Sequence, residues 1–140
     1  METQGKHIMN RERFNQQILF DGIGKGQMRM TDYDGVFEID DKWCIFTEVK
    51  RVGNEMPYGQ RLSYERVADR LQKTGMESLI IVAKHDTPST EDVLLKDCIV
   101  TTFYIKGRWY KDPKQRTYLE FISDYAKSRQ IQKLKHLYNG

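Results

Sequence analysis

The sequence predicts an α/β protein, a mixed β-sheet flanked by helices, on three observations. Strand-like runs recur from Met28 onward, and one of them, Leu79-Ile80-Ile81-Val82-Ala83, is continuously apolar, as a strand covered on both faces is. Tyr64, Val67, Ala68 and Leu71 recur at helical spacing between that run and an earlier strand. Strand, helix and strand in that order give a right-handed parallel crossover.

The elements follow in order. Arg11 to Phe20 reads as a short helix, with Phe14, Ile18 and Leu19 on one face and Asn10 as a cap. Gly22, Gly24 and Gly26 break it; no buried strand precedes them and no Gly-Lys-Ser/Thr follows, so they form a connection and not a phosphate loop. Met28–Ile39 and Trp43–Val49 are strands joined by the turn Asp40-Asp41-Lys42. Pro57 suits a first helical turn, and the helix from Tyr58 to Lys73 closes at Gly75. Ile99–Ile105 is a further strand, which Lys106-Gly107 turns into Arg108-Trp109-Tyr110. A basic final helix is expected from about Arg116, with Leu119, Ile122, Tyr125 and Ala126 inward and an extension towards His136.

The 140 residues suit one domain spanning 1–140, able to bury a core without disulfides. Cys44 and Cys98 lie in strand-like segments and are expected as buried thiols. His7, His85 and His136 have no zinc-ligand spacing with them, which excludes a structural zinc site. The longest apolar run is far short of the ~20 residues a membrane span needs, and Met1–Lys6 leads into no signal core. A cytoplasmic protein without membrane attachment is the expectation.

Charge is unevenly placed. Residues 1–105 carry 14 Lys/Arg against 17 Asp/Glu, whereas residues 106–140 carry 9 against 3. A basic end on a near-neutral body fits either an anionic partner, nucleic acid being the commonest, or a solvated lysine-rich helix.

The chemistry centres on Glu48-Val49-Lys50. Two-residue alternation puts Glu48 and Lys50 on one face of their strand. Asp34 and Glu48 each lie seven residues from Asp41, so a hairpin centred there makes them cross-strand neighbours. Two carboxylates and an ammonium are costly to bury together unless a cation and an anionic ligand accompany them. Magnesium-type ions prefer such oxygen ligands, and the lysine can then hold a water or offset charge growing on a phosphate. An acid-any-lysine triplet is expected by chance roughly twice in such a chain. Asp40-Asp41-Lys42 and Asp112-Pro113-Lys114 also match, but both lie in turns. Asp32 is the alternative to Asp34 and lacks the hairpin symmetry.

With Asp34 followed by Glu48-Val49-Lys50, and with Gln60-Arg61-Leu62-Ser63-Tyr64 after them, residues 10–105 resemble the PD-(D/E)XK nuclease superfamily. The last element resembles the Gln-xxx-Tyr element of its RecB-like branch. The stretch through Met56-Pro57-Tyr58-Gly59-Gln60 to Gly75 is similar to stand-alone VRR-NUC proteins of phage and replication-repair systems. The spacing of Asp34 to Glu48 is similar to that of archaeal-type Holliday-junction resolvases. Tyr33 stands where the motif has its proline.

The resemblance implies a restriction-endonuclease-like core and hydrolysis of DNA phosphodiester bonds with Mg2+, for which Mn2+ would substitute. It implies metal ligation by Asp34, Glu48 and the Val49 backbone, with Glu12 either a further ligand or a solvated surface acid. Lys50 and Gln60 complete the catalytic set, and Tyr64 either packs below it or touches DNA. Arg51, Arg61, Lys111, Lys114 and Arg116 are candidate phosphate contacts, and Lys127, Arg129, Lys133 and Lys135 extend the basic end. Trp109 and Tyr110 either stack on an unpaired base or pack at a strand edge, the latter preferred for Trp109. Expected partners are branched or nicked DNA, a second copy of the chain for cutting both strands, and a protein supplying specificity. A single-strand exonuclease and a non-cleaving nuclease-fold binder are the alternatives.

Overall fold

The computed structural model describes residues 33–139. The readings made of Arg11–Phe20, Gly22, Gly24, Gly26, Glu12 and Asp32 fall outside them. Five strands form one sheet in sequential order: β1 (Gly35–Ile39), β2 (Trp43–Arg51), β3 (Glu77–His85), β4 (Ile99–Ile105) and β5 (Arg108–Lys111). β2 and β3 pair in parallel, and the other neighbours pair antiparallel. The sheet is mixed, and helices α1 (Tyr58–Lys73) and α2 (Tyr118–Arg129) flank it.

Side-chain alternation sorts the core into two faces. Cys44 and Phe46 of β2, Ile80 of β3 and Tyr104 of β4 pack with Tyr64 and Ala68 of α1. Ile45, Leu79, Ile81 and Val100 pack the other face with Phe121, Ile122, Tyr125 and Ala126 of α2. Each such burial is worth ~1.5–3 kcal/mol, and a one-residue slip of β2 would exchange its two sets. Cys44 and Cys98 are buried free thiols, as expected. Among the described residues no helix is long and apolar enough to cross a membrane.

The turns explain the boundaries. Asp40 and Asp41 both take positive φ, 57° and 54°, as a primed hairpin turn requires, and Lys42 N–H donates to the Ile39 carbonyl at 3.0 Å. Pro57 stands at the N-cap of α1, one position before the expected first turn, and Gly75 follows its end at φ 96°. Thr117 and Glu120 form a capping box that starts α2 two residues after the expected Arg116.

The final helix is shorter than expected. Gln130 adopts a left-handed conformation and stops α2, and a separate 3-10 segment, Gln132–Leu137, follows. Glu77, at the start of β3, accepts hydrogen bonds from Arg129 at 2.8 Å and from the Tyr125 hydroxyl. Lys133 pairs with Asp40 at 2.7 Å. The basic end is therefore held against the β1–β2 turn and the starting ends of β2 and β3.

Candidate active site

β2 carries the site at its far end, where Glu48, Val49 and Lys50 lie against Val82, Ala83 and Lys84 of β3. The β1–β2 ladder pairs Gly35 with Thr47, and that register extended by one residue sets Asp34 opposite Glu48. Asp34 lies on a bend just before β1, not within the strand. Its Oδ2 accepts the Val49 N–H at 2.8 Å, which fixes the carboxylate beside the Glu48-Val49-Lys50 segment.

Glu48 is 3% exposed although it carries a carboxylate. Its Oε2 lies 3.0 Å from Lys50 Nζ, and its Oε1 accepts the Tyr64 hydroxyl. Both contacts offset the desolvation that a buried acid otherwise meets. Lys50 keeps 22% of its side chain exposed, against 3% for its partner. Asp34 has an open side towards solvent, yet burial is the largest influence on it and raises its pKa. The Val49 N–H and Lys50 pull that pKa down, and the adjoining Glu48 pushes it further up. Two adjoining acids, Glu48 buried and Asp34 raised first by burial and then by its neighbour, form an oxygen pair that a hard divalent cation relieves.

Tyr64 holds the site from beneath. Its ring stacks on Tyr33 at 4.2 Å and meets Phe46 edge-on at 5.9 Å. Burial first, and then the hydrogen bond to Glu48, raise its pKa, so the phenol stays a donor. Tyr64 is 0% exposed and presents no surface to DNA; core packing is its observed role. Gln60, one helical turn earlier on α1, is half-buried, with Oε1 out of solvent contact.

The candidate phosphate contacts divide. Arg51 is exposed, and its guanidinium donates to the Thr87 carbonyl at 2.7 Å. Arg61 pairs with Glu65 at 2.9 Å and lies over the Trp109 ring at 5.4 Å. Lys111 and Lys114 are exposed. Arg116 is taken up internally: it pairs with buried Asp112 at 3.0 Å and with Asp124 at 2.9 Å, and it covers Phe121. Its charge is engaged by Asp112, a buried carboxylate directly after β5, and by Asp124, so it is less available to a phosphate than the exposed lysines beside it. Trp109 packs against Tyr104 at 5.1 Å and donates Nε1–H to Glu65, the strand-edge role. Tyr110 is exposed and stacks on Phe103.

The sequence reading missed Lys84. It lies on the same sheet face as Lys50 and directly beside it in the β2–β3 register, and its ammonium holds the Asn54 carbonyl. The signal was the parity of Val82 and Lys84, once the register of the crossover is known. Among the described residues no three His, Cys, Asp or Glu side chains group as a metal cluster; the site offers the carboxylate pair Asp34 and Glu48. Comparison with family models, curated proteins and solved structures found no match to this chain.

Proposed function

We propose that the chain is a metal-dependent nuclease hydrolysing DNA phosphodiester bonds, with Asp34, Glu48 and Lys50 at its centre. The observation that supports this most is the junction of a 3%-exposed Glu48, an Asp34 anchored on the Val49 amide, and a partly exposed Lys50 on one strand end. A purely structural ion pair has no use for the second carboxylate, which raises the electrostatic cost of the first.

Asp34, Glu48 and the Val49 carbonyl would hold Mg2+ or Mn2+, which as a bound Lewis acid polarises the phosphodiester. Tyr64 orients Glu48 by donating to Oε1, leaving Oε2 to Lys50. Lys50 directs the attacking water at phosphorus and meets the negative charge that grows on the non-bridging oxygens as the P–O bond breaks. Gln60, one helical turn before Tyr64 on α1, would position Lys50 or a phosphate oxygen. The substrate proposed is branched, flapped or nicked DNA, with dimerisation or a partner protein setting specificity.

Labelled branched, nicked, single-stranded and duplex DNAs, incubated with Mg2+ or Mn2+, test the reading. Wild type cleaves at least one of them and Glu48→Gln cleaves none. Absence of turnover on every substrate overturns it.

A further inference from the structure

Beside the candidate centre lies a cavity of about 400 Å3, between the start of α1 and strands β3 to β5. Its β3 wall is Val82 and Lys84, the register partners of Glu48 and Lys50. The row runs on from Val82 to Thr102 and from Thr102 to Lys111, so Lys111 lies on the row of Glu48, three strand spacings or ~14 Å away. Thr101 is the extra residue of a bulge between the pairs Val82–Thr102 and Ala83–Val100, and it too lines the cavity. Arg61 completes the ring of cations, held in place by Trp109 and Glu65. The cations Lys50, Lys84 and Lys111 thus step from β2 across β3 to β5 on one face.

Lys84 is the least solvated of these, with 12% of its side chain exposed. Glu55, whose side chain is 90% exposed, approaches its ammonium at 3.5 Å, too far for a tight ion pair. The start of α1 has no side-chain cap and no acid in its first turn, so no side chain of the helix itself offsets its positive end. A lysine this buried, held by the Asn54 carbonyl and only loosely by a solvent-exposed carboxylate, can take an anion in place of Glu55.

We infer that this cavity is a second phosphate subsite, in which Lys84, Lys111 and Arg61 hold a phosphate next to the scissile one and Glu55 occupies the place until the strand arrives. The inference rests on the nuclease reading for the identity of the strand, and on the cavity alone for the anion. It sets the direction of the substrate: the gripped strand leaves the Glu48–Lys50 centre across β3 towards β5. The strand does not run along β2 towards the basic C-terminal end.

The test is binding of a fluorescein-labelled twelve-residue oligodeoxythymidylate, followed by anisotropy in EDTA over a range of salt. Lys84→Gln/Lys111→Gln is expected to weaken binding about tenfold or more and to flatten the logarithmic salt slope by about 1.4, two contacts' worth on a single strand. Glu55→Gln is expected to tighten binding roughly 2–5-fold, the worth of a displaced surface pair. Lys127→Gln/Lys135→Gln, at exposed positions of the far end, should leave affinity within twofold. Lys84 also holds the Asn54 carbonyl, so thermal melts accompany the measurement. The single variants at exposed Lys111 and Glu55 probe the cavity without touching that contact.

Unchanged affinity and slope in the double variant, or weaker binding in Glu55→Gln, overturns the subsite. If wild type cleaves DNA and the double variant binds normally, the nuclease reading stands and the subsite falls. If wild type cleaves nothing and the double variant loses binding, the subsite stands and the nuclease reading falls.

Discussion

Asp34 Oδ2 accepts the amide hydrogen of Val49 at 2.8 Å, and Val49 is the residue between Glu48 and Lys50. The second carboxylate is thus hung on the backbone of the strand that carries the first, so the spacing of the pair follows from chain geometry and not from a flexible surface side chain. Removing either acid should therefore affect chemistry more than folding. Asp34→Ala and Glu48→Gln are expected to reduce metal-dependent cleavage by on the order of 10²-fold or more. Both should keep a cooperative melt. Asp40→Ala, at the turn-borne match to the same triplet, should be nearly silent. Normal rates in both site variants would remove these acids from the mechanism.

Lys50 separates catalysis from binding. If its ammonium meets charge that grows during the displacement, Lys50→Ala lowers the cleavage rate by roughly 10²–10³-fold while weakening DNA binding only a few-fold. Lys50→Arg should rescue poorly, because a planar guanidinium does not replace a compact ammonium 3.0 Å from Glu48. In a binding module, wild type would show no turnover and Lys50→Arg would bind almost normally. Single-turnover rates and affinities on one substrate decide between the two.

Tyr64 offers a stability test at the same place. Tyr64→Phe keeps the stack on Tyr33 and removes one hydrogen bond from a buried acid, so urea denaturation should show a loss of ~1.5–3 kcal/mol. In Glu48→Gln the same tyrosine substitution should cost less, and a double-mutant cycle reads the coupling. Equal costs in the two backgrounds would mean the hydroxyl serves packing alone.

A pH series at Asp112 tests an acid far from the chemistry. Burial acts to raise its pKa, but hydrogen bonds from the Arg116 guanidinium and backbone outweigh this and lower it. A depressed folded pKa contributes stability above the unfolded value, near 3.9, that is lost as pH falls through the folded one. Asp112→Asn should cost ~1.5–3 kcal/mol at pH 7. The gap to wild type should narrow steadily below about pH 4, as the wild-type carboxyl itself takes up a proton. A gap that stays constant down to the acid limb would assign the loss to shape rather than charge.

Much of this was legible in the sequence because it is local. Hairpin symmetry about Asp41 placed Asp34 against Glu48, and two-residue alternation put Lys50 on the same face; both need only turn chemistry and strand period. The bounds of α1 were equally plain from its apolar spacing, Pro57 and Gly75. What escaped depends on distant pieces meeting. The Tyr64–Glu48 bond requires the depth at which α1 docks on the sheet. Arg116 looked like a free cation because its partner Asp112 sits in what reads as an open turn, yet that carboxylate is fully covered. The end of α2 carries no glycine or proline to announce it; Gln130 takes the left-handed conformation instead.

The paired aspartates of the β1–β2 turn have a reach longer than their size suggests. They contact neither Glu48 nor Lys50, yet the count of residues they close decides which side of the sheet Asp34 meets. A one-residue change between Ile39 and Trp43 that slips the β1–β2 register would send Asp34 to the face of α2, across the sheet from Glu48. The hairpin works as a caliper: its jaws hold the two acids at one end and its setting screw lies at the other. Variation in this turn should therefore be free in composition, within what positive φ allows, and closed in length.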